Sequence, residues 1–197
     1  MKELVLIGCG GHSKSIIDLI ESSKLFKIYG LIGLTSELGK KILGHEVIGT
    51  DNDLQTIRNS CSYAFIAIGQ IKSSLKRREL QKKLINLNFK FPKIISPNSY
   101  ISTSSSFGEG TSIGHGAIIN AEVKIGKHCI INSNALLEHD VKVGNYSHIS
   151  TGVILNGNVE IGEESFIGSG AIIREGLKIP SGSIISAGER VMFWPTS

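Results

Sequence analysis

The chain has 197 residues, of which 41% are hydrophobic and 19% charged, and this balance excludes both a disordered chain and a membrane protein. Its 21 basic and 17 acidic residues give a formal net charge of +4, without the interleaved aromatic residues that nucleic-acid binding requires. No window of about 18 apolar residues and no cleavable leader is visible. We therefore expect a globular cytoplasmic protein with no membrane span and no nucleic-acid partner.

The first ninety residues predict a small α/β domain. An apolar strand over 4–7 leads into the glycine-rich turn 8–12, and a helix over 13–21 follows with Ser13 as its N-cap. Further strands are predicted over 28–32, 47–48, 64–68 and 89–95, and a second helix over 73–87. This alternation is typical of a small Rossmann-like parallel sheet, which we place at residues 1–92.

The glycine-rich turn after the first strand is a candidate phosphate site, because free backbone N–H groups at the start of a helix face any ligand there. Gly8 and Gly10 fit the dinucleotide-binding fingerprint, but Ser13 stands where its third glycine belongs. Ninety residues are also too few for two mononucleotide-binding halves. The turn therefore predicts one nucleotide rather than two, with the alternative that the glycines serve only the geometry of the turn.

From residue 95 onward the sequence repeats every six residues. Large apolar side chains occupy all seventeen positions at that spacing from Ile95 to Val191. The residue two before each is mostly small or aliphatic, so both share one strand face, which we assign to the interior. The residue just after each is often Gly or Asn, and we expect it to adopt a positive φ at a corner.

Hexads of this kind resemble the left-handed parallel β-helix, in which three hexads form one coil of 18 residues. The repeats then make slightly more than five coils, about 26 Å tall at the usual strand spacing. We assign them to a second, all-β domain at residues 93–197. Sheet faces without helical cover require capping or association, and we expect a homotrimer packed face to face.

The Gly-x-Gly-Gly-His turn at 8–12, followed by unbroken hexads that contain Glu138, His139 and Asp140, resembles the sugar acetyltransferases of the NeuD and PglD type. The resemblance covers essentially the whole chain. It implies transfer of an acetyl group from acetyl-CoA to the amine of a nucleotide-activated 4-amino deoxysugar, or, as in the NeuD branch, to a sialic acid hydroxyl.

The resemblance also implies roles for individual residues. His139 is the general base, Asp140 raises its basicity, and His148 and the Gly157 backbone belong to the acetyl-CoA site. Arg190 is the candidate phosphate contact, because the Pro-Ala-Lys stretch usual at this end of the helix is missing. The implied substrate-binding residues are Gly10, Gly11, His12, Gln70, Ser73 and Asn132. The acidic residues that usually follow the second strand are missing from 30–35, which leaves the sugar and the nucleotide open.

The 18-residue coil supports part of this assignment. Gly157 lies 18 residues beyond His139, so the two stack at the same corner about 4.8 Å apart along the coil axis. There the Gly157 N–H can receive the thioester oxygen while His139 takes a proton from the acceptor. His148 falls at an outward-facing position half a coil away, and we expect it to meet a neighbouring subunit.

Two other functions use the same fold. The γ-type carbonic anhydrases bind zinc through three histidines, but the four histidines of these repeats are separated by 13, 11 and 9 residues, and this spacing does not match. We therefore predict no metal site. A non-catalytic hexapeptide protein that binds a nucleotide sugar is the other alternative, and the charged Glu138-His139-Asp140 triplet favours the enzyme over it.

Overall fold

The computed structural model describes residues 1–71 and 73–194. The chain divides into two compact units. The first contains residues 1–69 and 75–94, and the second contains the described residues of 70–74 together with residues 95–194. The short stretch 70–74 thus belongs with the repeats, although it lies among the α/β elements in the sequence.

The first unit is a five-stranded sheet with helices. Its strands are β1 (Lys2–Ile7), β2 (Phe26–Ile32), β3 (Lys41–Ile42), β4 (His45–Gly49) and β5 (Tyr63–Ile66), in the order β3-β4-β2-β1-β5. Its helices are α1 (Gly11–Ser23), α2 (Leu54–Ser60) and α3 (Leu75–Asn86), with a 3₁₀ turn at Thr35–Glu37. All strand pairs are parallel except β3 with β4. None of the helices in the described ranges is long and apolar enough to cross a membrane.

Strand β1 is apolar from Leu4 to Ile7 because both of its faces are covered there. Leu4 and Leu6 pack with Ile16 of α1 in one cluster. Val5 on the opposite face packs with Leu54 of α2 in a second cluster, which also contains residues of α3. Each fully buried aliphatic side chain of this kind contributes about 1.5 to 3 kcal/mol. The parallel α/β sheet predicted from the sequence is therefore confirmed.

Two local predictions for this unit are wrong, and one helix is missing from them. Ser13 is not the N-cap of α1, because the helix begins two residues earlier with Gly10 as N-cap; the buried Ser13 hydroxyl donates to the Gly10 carbonyl at 2.6 Å. Helix α2 was not predicted at all. The expected strand over 89–95 is reduced to a single bridge at Lys90 and the pair Ile94–Ile95, which joins a sheet of the repeats.

The second unit is a left-handed parallel β-helix of seventeen two-residue strands. The strands of its three sheets, in chain order around the coil, are β6 (Ile94–Ile95), β7 (Tyr100–Ile101), β8 (Ser106–Phe107), β9 (Ser112–Ile113), β10 (Ile118–Ile119), β11 (Lys124–Ile125), β12 (Ile130–Ile131), β13 (Leu136–Leu137), β14 (Lys142–Val143), β15 (His148–Ile149), β16 (Ile154–Leu155), β17 (Glu160–Ile161), β18 (Phe166–Ile167), β19 (Ile172–Ile173), β20 (Lys178–Ile179), β21 (Ile184–Ile185) and β22 (Arg190–Val191). Strands 18 residues apart pair in parallel, as Ile119 does with Leu137.

The three sheets form three faces that differ in their outward side chains. The apolar face consists of β7, β10, β13, β16, β19 and β22, the lysine face of β8, β11, β14, β17 and β20, and the His148 face of β6, β9, β12, β15, β18 and β21. In every strand the second residue points inward and belongs to the apolar core or packs against it. All seventeen positions of the six-residue repeat are these second residues, which confirms the prediction.

The predicted position of the corner residues is wrong. From Phe107 to Ile185, backbone φ is positive three residues after each inward apolar residue, not one; the non-glycine residues there are Glu122, His128, Asn134, Asp140, Tyr146, Asn158 and Glu164. The glycines just after the strands are required for a different reason, the close packing of one coil on the next. A Cβ on Gly144 would lie 2.5 Å from the backbone nitrogen of Glu163 in the next coil. These glycines allow neighbouring coils to stack closely, and their φ angles are ordinary.

Candidate active site

His139 lies at one corner of the β-helix, which we call the His139 corner and define as the turns that follow the strands of the apolar face. Coil-to-coil hydrogen bonds hold its backbone: the His139 carbonyl accepts from Asn158 N at 2.9 Å, and Asp140 N donates to Ala121 O at 3.0 Å. Asp140 has φ 63°, a left-handed conformation that aspartate tolerates better than most residues. The regular coil therefore fixes this turn on both sides.

The imidazole of His139 pairs with the carboxylate next to it. Nδ1 and the Oδ2 atom of Asp140 are 2.9 Å apart, and because a carboxylate only accepts, Nδ1 carries the proton and donates. Nε2 then bears the lone pair in the neutral ring. About 66% of the His139 side chain is exposed, so this nitrogen can be approached from solvent. The pair is thus arranged as a general base with an orienting carboxylate.

Gly157 lies directly against the His139 ring. A Cβ at this residue would be 2.7 Å from both Nε2 and Cε1 of His139, so no larger residue fits while the ring keeps its position. Across the described ranges, no acceptor is found for the Gly157 N–H, although its carbonyl accepts from Gly176 N at 2.9 Å. A backbone donor beside the base nitrogen is the arrangement that can stabilise a developing oxyanion.

The partner of Glu138 at this corner is absent from the predictions made from the sequence. Asn120, one coil before Glu138, donates from Nδ2 to the Oε2 of Glu138 at 2.9 Å. Both side chains are half-buried, and Glu138 immediately precedes His139 in the sequence. The 18-residue spacing that identified Gly157 could have identified this pair as well.

His148 is not at this corner. It begins strand β15 on the His148 face and is 7% exposed, whereas we expected an outward side chain available to a neighbouring subunit. Its Nδ1 donates to the Gln70 carbonyl at 2.6 Å, and its ring meets the Phe166 ring edge-on at 5.2 Å. The expectation of exposure is therefore wrong, because a segment 78 residues away in sequence covers the imidazole.

The remaining predicted site residues are spread over both units. Asn132 follows the His148 face at a different corner, where its side chain accepts from Ser133 N at 2.8 Å. Arg190 is exposed on the last strand of the apolar face, three coils beyond β13. Ser73 is exposed and Gln70 is 3% exposed, both in the second unit. The structure brings Asp140 and Gly157 to His139, and it separately joins His148 to Gln70.

The glycine-rich turn of the first unit opens α1 as expected. Gly10 is the N-cap and Gly11 the first helical residue, and no side chain caps the helix. Both glycines are exposed, and His12 is half-buried in the first turn, with its Cβ close to where a Cβ on Gly69 would be. A 13-residue helix with an uncapped, exposed N-terminus can accept an anionic group.

The other two histidines of the repeats, His115 and His128, contact side chains of the β-helix itself. His115 Nδ1 lies 2.6 Å from the Ser96 hydroxyl. His128 is 1% exposed and its ring stacks on Tyr146 at 5.5 Å. Across residues 1–71 and 73–194, no three His, Cys, Asp or Glu side chains are grouped as metal ligands would be. Independence from metals stays a prediction.

The lysine face is charged. Lys142 and Lys178 lie 2.9 and 3.4 Å from the carboxylate of Glu160, between them in the stack, and a shallow groove of about 570 Å³ runs beside this ladder. The hydrogen bond from Lys142 lowers the pKa of Glu160. Exposed ion pairs of this kind add little stability, but they make the face hydrophilic.

Comparisons with known proteins agree with this geometry. The PglD N-terminal domain family matches residues 3–84, and the bacterial transferase hexapeptide (six repeats) family matches residues 104–139, 122–157 and 140–175. Curated proteins give no match to the sequence.

Solved structures resemble the whole chain. A mutant of perosamine N-acetyltransferase from Caulobacter crescentus, in complex with CoA and GDP-perosamine, is 30% identical, with a TM-score of 0.91 over 98% of this chain and 89% of that one. The acetyltransferase domain of PglB from Neisseria gonorrhoeae, in complex with acetyl coenzyme A, is 29% identical, with a TM-score of 0.86 over 96% and 92%. WeeI from Acinetobacter baumannii, 22% identical with a TM-score of 0.73 over 98% and 95%, shares the fold. The chain belongs to the NeuD/PglD-type hexapeptide-repeat sugar acetyltransferases, which are acetyl-CoA-dependent acyltransferases.

Proposed function

We propose that the chain transfers the acetyl group of acetyl-CoA to the amino group of a nucleotide-linked 4-amino deoxysugar, with His139 as general base. The observation that carries this proposal is the contact of His139 with Asp140 on one side and Gly157 on the other. The matched perosamine N-acetyltransferase, whose structure holds CoA and GDP-perosamine, supports an amine as acceptor.

In this mechanism Asp140 orients the imidazole, so that the lone pair of His139 Nε2 faces the incoming amine. His139 takes a proton from the amine as its nitrogen attacks the thioester carbonyl, and the Gly157 N–H donates to the carbonyl oxygen as negative charge develops on it. The imidazolium then returns the proton to the departing CoA sulfur. The absence of a Cβ at Gly157 leaves the backbone donor open to the acetyl group.

The acceptor's nucleotide phosphates are assigned to the first unit. The exposed N-terminus of α1, with Gly10 and Gly11, offers backbone N–H groups to a diphosphate. His12, in the same helical turn, and Ser73 are proposed to contact the nucleotide or sugar. Asn132 lies at a different corner from His139 within one chain, and we propose that it reaches the acceptor from another subunit. Arg190 is proposed to meet a phosphate of acetyl-CoA.

We expect three copies to associate through the apolar face. Its outward side chains are Tyr100, Ile118, Leu136, Ile154 and Ile172, with Arg190 on the last strand. The first two are 60% and 41% exposed, a degree that favours burial against another protein surface. The lysine face is hydrophilic, and most outward residues of the His148 face are already buried. The His139 corner borders the apolar face, so this packing would place each active site beside a neighbouring subunit.

A thiol-release assay tests the proposed function. Purified protein is given acetyl-CoA with GDP-perosamine, UDP-linked 4-amino sugars, sialic acid or no acceptor, and free CoA is measured. Release that depends on an amino sugar nucleotide is the expected result. Release with sialic acid alone would favour O-acetylation, and no release with any acceptor would contradict the enzyme.

A further inference from the structure

Gln70, Ser74 and Glu164 form a small cluster on the β-helix, which we call the Glu164 anchor. The Ser74 hydroxyl donates to the Oε2 of Glu164 at 2.6 Å, and the Gln70 Nε2 donates to the Glu164 carbonyl at 3.4 Å. Gln70 is 3% exposed and Ser74 2% exposed. Gln70 and Ser74, which lie before and after Ser73 in the sequence, thus both bond to Glu164.

His148 adds a third tie. Its Nδ1 donates to the Gln70 carbonyl at 2.6 Å, and Phe166 packs against the imidazole. Because a carbonyl oxygen only accepts, this bond also fixes the proton on Nδ1 of the neutral ring. The buried imidazole therefore holds the main chain of Gln70, a role that spacing within the repeats could not show.

Glu164 occupies a backbone position that suits glycine better. Its φ is 60°, and the equivalent residues at the two ends of the same column of corners are Gly110 and Gly182, with φ 67° and 73°. A glutamate in this conformation is strained, and strain of this kind persists where the surroundings compensate for it. The bond from Ser74 to the carboxylate is a contact that glycine at this position could not make.

We propose that Glu164 is a positioning residue for the acceptor: through Ser74 and Gln70 it holds in place the backbone that presents Ser73. This inference rests on the proposed function, in which Ser73 contacts the acceptor. Gln70 is too deeply buried for such contact, so the structure reassigns it from binding to positioning. A segment that is ordered before binding spares the ligand the entropy cost of ordering it, and the anchor should therefore lower the KM for the acceptor alone.

The first test measures order without activity. Amide hydrogen exchange of the peptide around 70–74 is compared between the wild type, Glu164→Gln and a matched control, Glu163→Gln. Glu163 is the adjacent exposed carboxylate and bonds to Asn145 instead. We expect faster exchange in Glu164→Gln only. Unchanged exchange in Glu164→Gln, or equal acceleration in the control, would overturn the anchor.

The second test separates the two substrates kinetically, with GDP-perosamine or the best UDP-linked 4-amino sugar as acceptor. Loss of a hydrogen bond to a charged group predicts a rise of about tenfold in the acceptor KM for Glu164→Gln and Ser74→Ala, while the acetyl-CoA KM changes less than about twofold. Ser74→Thr, which keeps the hydroxyl, should restore the wild-type value. A rise in the acetyl-CoA KM alone, or no change in either, would overturn the proposal.

Glu164→Gly guards against a folding artefact, because it removes the carboxylate while restoring the residue that suits a positive φ. We expect its Tm to equal or exceed that of the wild type, together with the raised acceptor KM. A normal acceptor KM in this variant would contradict the positioning role. If the wild type releases no CoA with any acceptor, the proposed function fails and the acceptor role with it, while hydrogen exchange still decides whether Glu164 holds the segment.

Discussion

Gly157→Ala tests the contact on which the proposed mechanism depends. The added Cβ would lie 2.7 Å from His139 Nε2 and Cε1, whereas an ordinary contact needs 3.4 to 4 Å, so the ring must move by about 1 Å. A displacement of that size at a reacting group costs about 10² in rate, or about 2.7 kcal/mol in the activation barrier. We therefore expect kcat to fall about 10²-fold.

The same substitution should leave the fold intact. Gly157 does not have a positive φ, and Ala121 occupies the equivalent position two coils earlier, so the backbone accepts alanine. Replacing glycine at a compatible position stabilises a protein by about 0.4 to 1 kcal/mol through the unfolded chain, so Tm should not fall. Glu175→Ala, at the equivalent position one coil further, is the matched control and should keep wild-type kcat.

Thiol release at saturating acetyl-CoA and acceptor gives kcat, and thermal unfolding gives Tm. Combining Gly157→Ala with His139→Ala should cost no more than His139→Ala alone, because the clash requires the ring. If Gly157→Ala keeps more than about half of wild-type kcat, the ring is not held where the mechanism needs it, and His139 would lose its assigned role.

Other predictions concern the base, the subunits, metals and a thiol. His139→Ala should lower kcat by about 10² to 10⁴ with little change in the acetyl-CoA KM, and Asp140→Asn by about tenfold; equal losses in both variants would contradict their separate roles. Light scattering should give three times 21.2 kDa for the wild type and a smaller mass for Ile118→Lys, whose side chain is half-exposed on the apolar face; a monomeric wild type would refute this. Dialysis against a chelator should leave activity unchanged, and stoichiometric bound zinc would argue otherwise. Burial, reinforced by the nearby Glu37 carboxylate, raises the pKa of Cys9 to about 11, so iodoacetamide should modify it slowly at pH 8; rapid labelling would show an ionised thiol.

The repeats were predictable from the sequence because their geometry is strictly periodic. An inward residue recurs every six positions and a coil closes every 18, so both the seventeen strands and the stacking of Gly157 on His139 follow from counting. The positions with a positive φ could not be predicted by counting, because glycine occurs in these repeats for two different structural reasons. Gly144 permits close approach of the next coil, while Gly152 supplies a positive φ, and sequence alone does not distinguish them.

Features that depend on distant segments could not be read in this way. The repeat pattern places His148 at an outward-facing position of its strand, and only the structure reveals that Gln70 covers the imidazole. Helix α2 (Leu54–Ser60) was missed because it is seven residues long and buries only Leu54 and Ile57, too few for a periodic signal. Serine before an apolar run predicts an N-cap, but the Ser13 hydroxyl instead donates to the carbonyl of Gly10 from inside the helix.

The stacking of Gly157 on His139 also limits how the chain between them can change in length. The two residues are one coil apart, and each hexad advances the chain by one third of a coil. Deleting a single hexad from 141–156 would leave every core position apolar and the β-helix foldable, yet it would carry Gly157 to a neighbouring corner, away from the imidazole. The contact proposed for catalysis is therefore sensitive to a length change that the apolar core itself would tolerate.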